Sequence, residues 1–264
     1  MTADKRPAPP PYVPGHGLLR DKTVLITAAA GTGIGFATAK RCIEEGARVF
    51  ISDVHERRLN EAAERIEKEA GRRPETRLGN VTKEEDVRGL VDAAISSLGH
   101  VDILVNNAGL GGSARIVDMT DDQWNVVLDV TLTGTFRMLR AMLPHMMERK
   151  SGVIVNNASV LGWRAQTLQS HYAAAKAGVM ALTRCAAMEA AEYGVRINAV
   201  SPSLAMHEFL NRVTSDDLLE ELVAREAFGR AAETWEVANV IVFLASEYSS
   251  YMTGEVVAVS SQRA

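Results

Sequence analysis

The sequence predicts a single α/β domain, in which a doubly wound parallel sheet carries helices on both of its faces. Its 264 residues suit one large α/β domain better than two ordinary domains. Short apolar runs alternate with helical patterns along most of the chain, as in proteins built from repeated strand–helix–strand units. Most of these runs are continuously apolar, which is typical of parallel strands that are covered on both faces.

Seven short runs predict the strands of the sheet. They comprise residues 24–27, 48–53, 75–78, 101–106, 152–156, 196–200 and 255–259. Helical patterns fill the stretches between them, and the two longest cover about residues 122–149 and 172–193. Because parallel strands are joined by right-handed crossovers, the connecting helices are expected on both faces of one sheet.

Capping residues predict where several helices begin and end. Thr82 with Glu85 and Thr120 with Gln123 have the spacing of a capping box, in which two side chains bond the first free backbone N–H groups. Glycine favours the left-handed backbone that commonly follows the last turn of a helix. Four glycines stand at such positions, namely Gly46, Gly71, Gly99 and Gly194.

The composition of residues 1–17 predicts a flexible, solvated N-terminal tail. Five of the eight prolines of the chain lie in its first fourteen residues. Proline-rich segments favour an extended polyproline conformation and offer no core face. We therefore expect the folded domain to span residues 18–264.

The composition also excludes several classes of partner. A formal net charge of −4 leaves no basic field that could hold nucleic acid or anionic lipid. The N-terminus lacks the apolar region of a secretory signal, and no apolar stretch approaches the roughly 18 residues of a membrane span. We therefore expect a cytoplasmic protein without nucleic-acid or membrane partners. Cys42 and Cys185 lie in helical patterns outside any metal-ligand spacing, which predicts reduced core thiols and no metal site.

A turn of small residues after the first strand predicts a dinucleotide site. Thr32, Gly33 and Ile34 open the first helix, whose N-terminus offers free N–H groups to a pyrophosphate. A tight turn that serves packing alone would show the same glycines. Asp53, however, stands at the end of the second strand, eighteen positions after Gly35. A carboxylate there hydrogen-bonds a ribose 2′-hydroxyl and repels a 2′-phosphate, so it favours NAD over NADP.

Tyr172 and Lys176 form the most informative pair in the chain. At a spacing of i, i+4 they share one face of a predicted helix. An adjacent ammonium lowers the pKa of a phenol, as would an oxidised nicotinamide, and so makes it a better acid–base catalyst. Such pairs also occur on ordinary surface helices. Ser159 lies thirteen residues before Tyr172 at the end of a predicted strand, where its hydroxyl either polarises a substrate carbonyl or simply caps a turn.

Taken together with the segment Asn106-Asn107-Ala108-Gly109, these motifs resemble the classical short-chain dehydrogenase/reductase family over residues 22–259. The resemblance implies a Rossmann-type sheet of seven strands, often assembled as a homotetramer through its two long helices. It implies an NAD(P)-dependent oxidoreductase that interconverts a secondary alcohol and a ketone. Tyr172 is then the general acid/base, Lys176 holds the nicotinamide ribose and lowers the pKa of the tyrosine, and Ser159 orients the substrate.

The resemblance implies further cofactor contacts, and some of these positions depart from the family pattern. The additional contacts are Asn80, Val81, Asn107, Ala108, Pro202 and Leu204. Asn80 replaces an aspartate that usually precedes valine-threonine, although an amide can still meet adenine. Thr131 stands where an asparagine usually supports a proton relay, which makes Thr131 the candidate for that role.

Three segments, residues 27–35, 156–165 and 226–233, resemble those of one subgroup. This subgroup acts on a coenzyme-A-linked bicyclic remnant in bacterial steroid catabolism. Residues 203–228 should then form a substrate lid whose apolar residues suit a hydrophobic ring. Arg164 should reach the mouth of the cleft, where a coenzyme A phosphate or an acid of the fold can pair with it. Two other functions stay open: a 3-oxoacyl-carrier-protein or -CoA reductase, and a non-catalytic sensor or scaffold that binds dinucleotide.

Overall fold

The computed structural model describes residues 8–207 and 216–262. Its strands are β1 (Thr23–Thr27), β2 (Arg48–Asp53), β3 (Glu75–Leu78), β4 (Ile103–Asn106), β5 (Gly152–Asn157), β6 (Val195–Pro202), β7 (Ala205–Met206), β8 (Ala232–Glu233) and β9 (Val256–Val259). Seven of them form one parallel sheet in the order β3-β2-β1-β4-β5-β6-β9. Each predicted run is a strand of this sheet, which confirms the predicted fold class.

Helices cover both faces of the sheet. They are α1 (Ile34–Glu44), α2 (Glu56–Ala70), α3 (Glu84–Leu98), α4 (Asp121–Leu128), α5 (Gly134–Arg149), α6 (Ser170–Ala190), α7 (Asp216–Ala224) and α8 (Thr234–Ala245). A π-helical turn, Asp129–Thr133, joins α4 to α5 and makes one long rod of the two. Pro144 lies inside α5. Among the described helices, none has both the length and the apolar character needed to cross a membrane.

Alternate residues of β1 pack into the core on opposite faces of the sheet. Ile26 packs in one cluster with Phe36 of α1 and Ile241 of α8. Leu25 faces the other way and packs with Met142 of α5. Each fully buried side chain of this kind stabilises the fold by about 1.5–3 kcal/mol. The strand ends are therefore held from both sides, which gives the site at the sheet edge a rigid base.

The start of α3 differs from the prediction, whereas the start of α4 agrees with it. Thr120 and Gln123 form the expected capping box. At α3 the N-cap is Lys83, and Thr82 does not cap the helix. The hydroxyl of Thr82 instead donates to Asn80 Oδ1 at 2.8 Å, because the asparagine closes a local turn before the helix begins. All four predicted glycine stops have a left-handed φ.

The segment before β1 lies against α1. His16 and Leu18 both donate their backbone N–H groups to the buried carboxylate of Glu45, at 2.8 and 3.0 Å. The ring of Tyr12 meets that of Trp235 edge to face, with 5.4 Å between the centroids. The flexibility of residues 1–17 stays a prediction, and residues 1–7 lie outside the described part of the chain.

The two cysteines differ in their surroundings. Cys42 is fully buried in α1, and burial raises the pKa of its thiol to about 12, as expected of an inert core thiol. Cys185 is exposed, so its prediction as a core residue is wrong. It lies on α6, where neighbouring residues such as Ala186 and Ala187 take the buried positions.

Part of the predicted lid is visible beyond β6. The segment that contains β7 pairs with β8, and α7 follows the stretch 208–215, which lies outside the described residues. Buried Glu226 joins three segments, because its carboxylate accepts hydrogen bonds from Leu204 N–H at 3.5 Å and from the Ser261 hydroxyl at 2.9 Å. The end of the chain is therefore fastened to the segment that follows β6.

Candidate active site

Polar side chains connect the carboxyl ends of three strands. Thr27 ends β1, and its hydroxyl accepts the backbone N–H groups of Asn107 and Ala108 at 3.0 and 3.1 Å. The side-chain amide of Asn107 donates to the carbonyls of Thr27 and Ala28, and its Oδ1 accepts from Asn157 Nδ2 at 2.9 Å. In open α/β sheets, ligands bind outside this edge. The network fixes the base of that crevice.

The turn after β1 can accommodate a pyrophosphate. Gly31 adopts a φ of +89°, and open space surrounds the positions that side chains would occupy on Gly31 and Gly33. Gly33 is the N-cap of α1 without a side-chain cap, so the first N–H groups of the helix are available. Gly35 instead packs tightly against the end of β1. Free N–H groups, the helix dipole and the absence of side chains together fit the diphosphate of a dinucleotide.

The glycines of this turn give a matched pair of substitutions. A Cβ on Gly35 would lie 2.5 Å from Asn107 Nδ2 and within clashing distance of the Ala28 carbonyl, which belongs to the backbone. We expect Gly35→Ala to lower the free energy of unfolding by about 1–3 kcal/mol. Gly33→Ala should leave stability nearly unchanged and weaken dinucleotide binding, because its methyl group enters the open cradle. Urea unfolding and NADH titration measure both effects, and equal stability of the two variants would contradict the packing assignment.

Asp53 lies beside the same turn. One carboxylate oxygen accepts the Ala30 N–H at 3.2 Å, and the other accepts the His55 N–H at 3.1 Å. Partial burial raises the pKa of Asp53, while the Ala30 N–H and the charge of Arg58 act in the opposite direction. The carboxylate therefore stands at the end of β2 next to the phosphate cradle, where the sequence places a ribose-binding acid.

The next predicted cofactor residues follow β3 and β4 at the same edge of the sheet. Asn80 uses its Oδ1 to accept from the Thr82 N–H and hydroxyl, so this oxygen is already engaged in a local turn. Val81 is buried against Gly134 of α5. Asn107 and Ala108 follow β4 directly. These residues belong to the crevice, although the Val81 side chain serves packing.

Ser159 and Tyr172 face each other across the crevice. Ser159 follows β5, is almost buried, and accepts the Leu161 N–H at 3.3 Å. Burial raises the pKa of Tyr172 above its usual value of 10, and a hydrogen-bonding interaction with Ser159 partly offsets this rise. The pKa of Tyr172 is therefore raised overall, whereas a neighbouring lysine was expected to lower it. In the protein alone, Tyr172 is therefore a phenol that holds its proton at neutral pH.

Lys176 is buried one turn further along α6. Its Nζ lies 5.5 Å from the ring centroid of Tyr172 and donates to the Asn157 carbonyl at 2.5 Å. Burial lowers the pKa of Lys176 from 10.5 to about 8. Burying an ammonium is costly when its hydrogen bonds only partly replace its lost hydration. Such groups are typical of functional sites.

Thr131 contacts the loop that follows β4. Among the described residues, no hydrogen bond joins its side chain to Lys176. Its hydroxyl accepts the Leu110 N–H at 3.0 Å and donates to the Leu110 carbonyl at 3.2 Å. Gly109 lies between the two residues: a Cβ on it would be 3.3 Å from Lys176 Nζ and 3.8 Å from Thr131 Oγ1. Thr131 therefore fixes the loop that covers Lys176.

Pro202 and Leu204 form the far wall of the crevice. Pro202 ends β6 and is buried beside β9. Leu204 donates to Glu226 and accepts the Ala232 N–H at 2.8 Å, which ties the wall to β8. The structure thus brings the predicted residues to one edge of the sheet.

Asn157 was not among the predicted site residues. Its carbonyl holds Lys176 and its side chain holds Asn107, so it links the lysine to the dinucleotide turn. A signal for it was present, since two asparagines end an otherwise apolar strand. Its role depends on a backbone oxygen, however, and side-chain identity does not report where a carbonyl points.

Comparison with known proteins agrees with this geometry. A family model described as enoyl-(acyl carrier protein) reductase matches residues 28–261. A crystal structure of a short chain dehydrogenase from Mycobacterium smegmatis has 57% sequence identity and a TM-score of 0.86, covering 97% of this chain and 98% of the other. The chain belongs to the short-chain dehydrogenase/reductase family. It is an oxidoreductase, and members of this family bind a nicotinamide dinucleotide.

Two relatives of this short-chain dehydrogenase/reductase bear on its substrate. It is 61% identical over 254 residues to the (5R,7aS)-5-hydroxy-7a-methyl-1-oxo-2,3,5,6,7,7a-hexahydro-1H-indene-carboxyl-CoA reductase of Mycobacterium tuberculosis, covering 96% of this chain and 97% of that protein. It is 36% identical to a 3-oxoacyl-[acyl-carrier-protein] reductase of Thermotoga maritima, covering 91% and 97%. The similarity to the indene-carboxyl-CoA reductase is far greater.

Proposed function

We propose that this protein is an NAD-preferring oxidoreductase that interconverts a secondary alcohol and a ketone on a bicyclic coenzyme A thioester of bacterial steroid catabolism. The observation that carries the reaction is the placement of Ser159, Tyr172 and Lys176 at the sheet edge that also holds the glycine cradle. The choice of substrate rests on the 61% identity to the indene-carboxyl-CoA reductase, which extends over nearly the whole of both chains.

Tyr172 and Ser159 act on the substrate oxygen in this proposal. The bound dinucleotide supplies or accepts a hydride at the carbinol carbon. Ser159 donates a hydrogen bond to the ketone oxygen, which polarises the carbonyl and holds it in place. Tyr172 then donates its proton to the oxygen as an alkoxide develops, or removes the proton in the reverse direction. The raised pKa of Tyr172 keeps this proton available at neutral pH.

Lys176 and its neighbours support the tyrosine. The Asn157 carbonyl holds the ammonium close to the phenol and to the place of a nicotinamide ribose. Its positive charge stabilises a transient phenolate. The contacts of Thr131 favour a positioning role over a proton relay, because the single proton of its hydroxyl is donated to Leu110.

Asp53 supports the preference for NAD and gives a direct test of it. We expect the wild-type protein to bind NADH more tightly than NADPH, since the carboxylate accepts from a ribose 2′-hydroxyl and repels a 2′-phosphate. Asp53→Asn should weaken NADH binding by roughly tenfold and strengthen NADPH binding. Fluorescence titration with both dinucleotides measures this change. A wild-type protein that already binds NADPH more tightly would show that Asp53 does not select the cofactor.

A substrate panel tests the proposed function. Consumption of NADH would be followed with the ketone of the bicyclic indene-carboxyl-CoA, with acetoacetyl-CoA and with an acetoacetyl acyl carrier protein. We expect the highest kcat/KM for the bicyclic thioester. Higher efficiency with the carrier protein would make the chain a 3-oxoacyl reductase. Tight NADH binding without turnover of any ketone would favour a dinucleotide sensor.

We also propose a homotetramer built on the α4–α5 rod and on α6. Three apolar side chains on them are exposed in the single chain, namely Val126, Phe136 and Met188. Exposed apolar side chains favour association when they are covered by a partner. Sedimentation equilibrium would give four times the mass of the chain if the proposal holds, and the mass of a monomer if it does not.

A further inference from the structure

A cavity of about 340 Å³ opens beside the loop that follows Ser159. Three segments build it: the loop that follows β5, the end of α7 and the end of the chain. The lining residues are Leu161, Arg164, Ala165, Gln166, Arg225 and Gln262. Four of these six side chains carry hydrogen-bond donors and two carry a positive charge, so the cavity is suited to an anion.

The charge of Arg164 is not neutralised by the described residues. Its guanidinium donates to Gln262 Oε1, a neutral amide, and the described part of the chain places no carboxylate within salt-bridge distance of it. Arg225 pairs with Glu221 at 2.5 Å, but both side chains are about half exposed. Exposed pairs of this kind contribute little stability, so an incoming anion can compete for Arg225.

Leu161 connects the cavity to Ser159. This residue lines the cavity, and its N–H donates to Ser159 Oγ at 3.3 Å. The loop is held in a fixed turn, because the Gly162 N–H donates to the Ser159 carbonyl at 2.9 Å. A substrate whose carbonyl lies at Ser159 can therefore extend past Leu161 toward the two arginines.

We propose that this cavity binds the phosphate groups of a coenzyme A thioester while its acyl ring lies at Tyr172. The proposal rests on the proposed function and deepens it by assigning a site to the nucleotide part of the substrate. Guanidinium groups bind phosphate through two parallel N–H donors, and Gln166 and Gln262 add amide donors. Leu161 and Ala165 give apolar contact to the pantetheine arm. On a chain of net charge −4, this local pair of arginines is what draws a polyanion.

Paired thioesters isolate the contribution of the phosphates. The bicyclic ketone would be presented as its coenzyme A thioester and as its pantetheine thioester, which lacks the phosphates. We expect Arg164→Ala and Arg225→Ala each to raise KM for the coenzyme A thioester by about tenfold and to leave KM for the pantetheine thioester and kcat unchanged. Glu221→Gln should lower KM for the coenzyme A thioester, because it frees Arg225.

Direct binding and a matched control complete the test. Free coenzyme A would be titrated calorimetrically into the NADH-bound protein, and its Kd should rise about tenfold in both arginine variants. Arg73→Ala is the control, since Arg73 lies beyond the end of α2 and is similarly exposed and ion-paired, with Glu67 as its partner. It should change neither KM nor Kd.

The outcomes distinguish a failure of the cavity assignment from a failure of the proposed function. Equal KM values of the wild type for both thioesters, or a Kd of coenzyme A that neither arginine changes, would overturn the cavity assignment and leave the ketoreductase intact. Arginine-dependent turnover that is more efficient with an acyl carrier protein than with coenzyme A would overturn it in favour of the carrier protein. If no ketone is reduced, the proposed function fails, and the coenzyme A titration still decides the cavity.

Discussion

Replacing Tyr172 with phenylalanine is expected to lower kcat for ketone reduction by about 10²–10⁴-fold, the range that general acid–base catalysis contributes. The variant retains the partly buried ring and loses only the hydroxyl that meets Ser159. Binding of NADH should therefore stay near the wild-type value. Steady-state kinetics with the bicyclic thioester, together with an NADH titration, measure the two quantities separately.

Tyr193→Phe is the matched control for this change. Tyr193 lies just beyond the other end of α6, half-buried against the core and close to the amino end of β6, whereas the site lies at the carboxyl ends of the strands. Its substitution should leave kcat unchanged. If Tyr172→Phe also retains the wild-type kcat while the protein stays folded, Tyr172 does not transfer the proton.

Replacing Lys176 with methionine should weaken both dinucleotide binding and turnover. The ammonium makes a charge-assisted hydrogen bond to Asn157 and lies 5.5 Å from the phenol ring. A hydrogen bond to a charged group contributes about 1.5–3 kcal/mol, so its loss corresponds to roughly a 10- to 150-fold effect on kcat/KM. Lys68→Met, on the exposed surface of α2, should have no effect on the same assay.

The same substitution has a distinct effect on stability. The pKa of Lys176 is about 8 in the folded protein and 10.5 in its ordinary state. Between these values the unfolded chain binds the proton and the folded chain does not, so unfolding becomes less favourable as the pH rises. The wild-type free energy of unfolding should therefore gain about 2–3 kcal/mol from pH 7 to pH 10 relative to Lys176→Met. Urea unfolding at the two pH values measures this difference. The same pH dependence of the free energy of unfolding in both proteins would show that burial does not lower the pKa of Lys176.

The sheet and its ligand-binding edge could be predicted from the sequence because buried parallel strands are continuously apolar. Each run ends in a polar or small residue or is followed directly by one, and parallel strands place those ends together. Asp53 illustrates this: its distance from the glycine turn is a spacing along the chain, and β2 pairs with β1, so the spacing becomes a contact with Ala30.

Features that depend on burial or on backbone groups could not be predicted in this way. The pKa of Tyr172 rises because the phenol is desolvated, whereas the sequence shows only that a lysine is near. Thr131 was a candidate for a proton relay by position, yet its hydroxyl meets the backbone of Leu110. Cys185 lies in a helical pattern like Cys42, but only tertiary packing decides which side of each helix is covered.

The destination of the hydride tests the central claim most directly. Wild-type protein would be mixed with the ketone of the bicyclic coenzyme A thioester and NADH carrying two deuterium atoms at C4 of the nicotinamide. Mass spectrometry and NMR of the product then locate the label. A reaction at Ser159 and Tyr172 predicts one deuterium on the ring carbon that bears the new hydroxyl. Deuterium on a carbon of a reduced double bond, or none in the product, would contradict carbonyl reduction at this site.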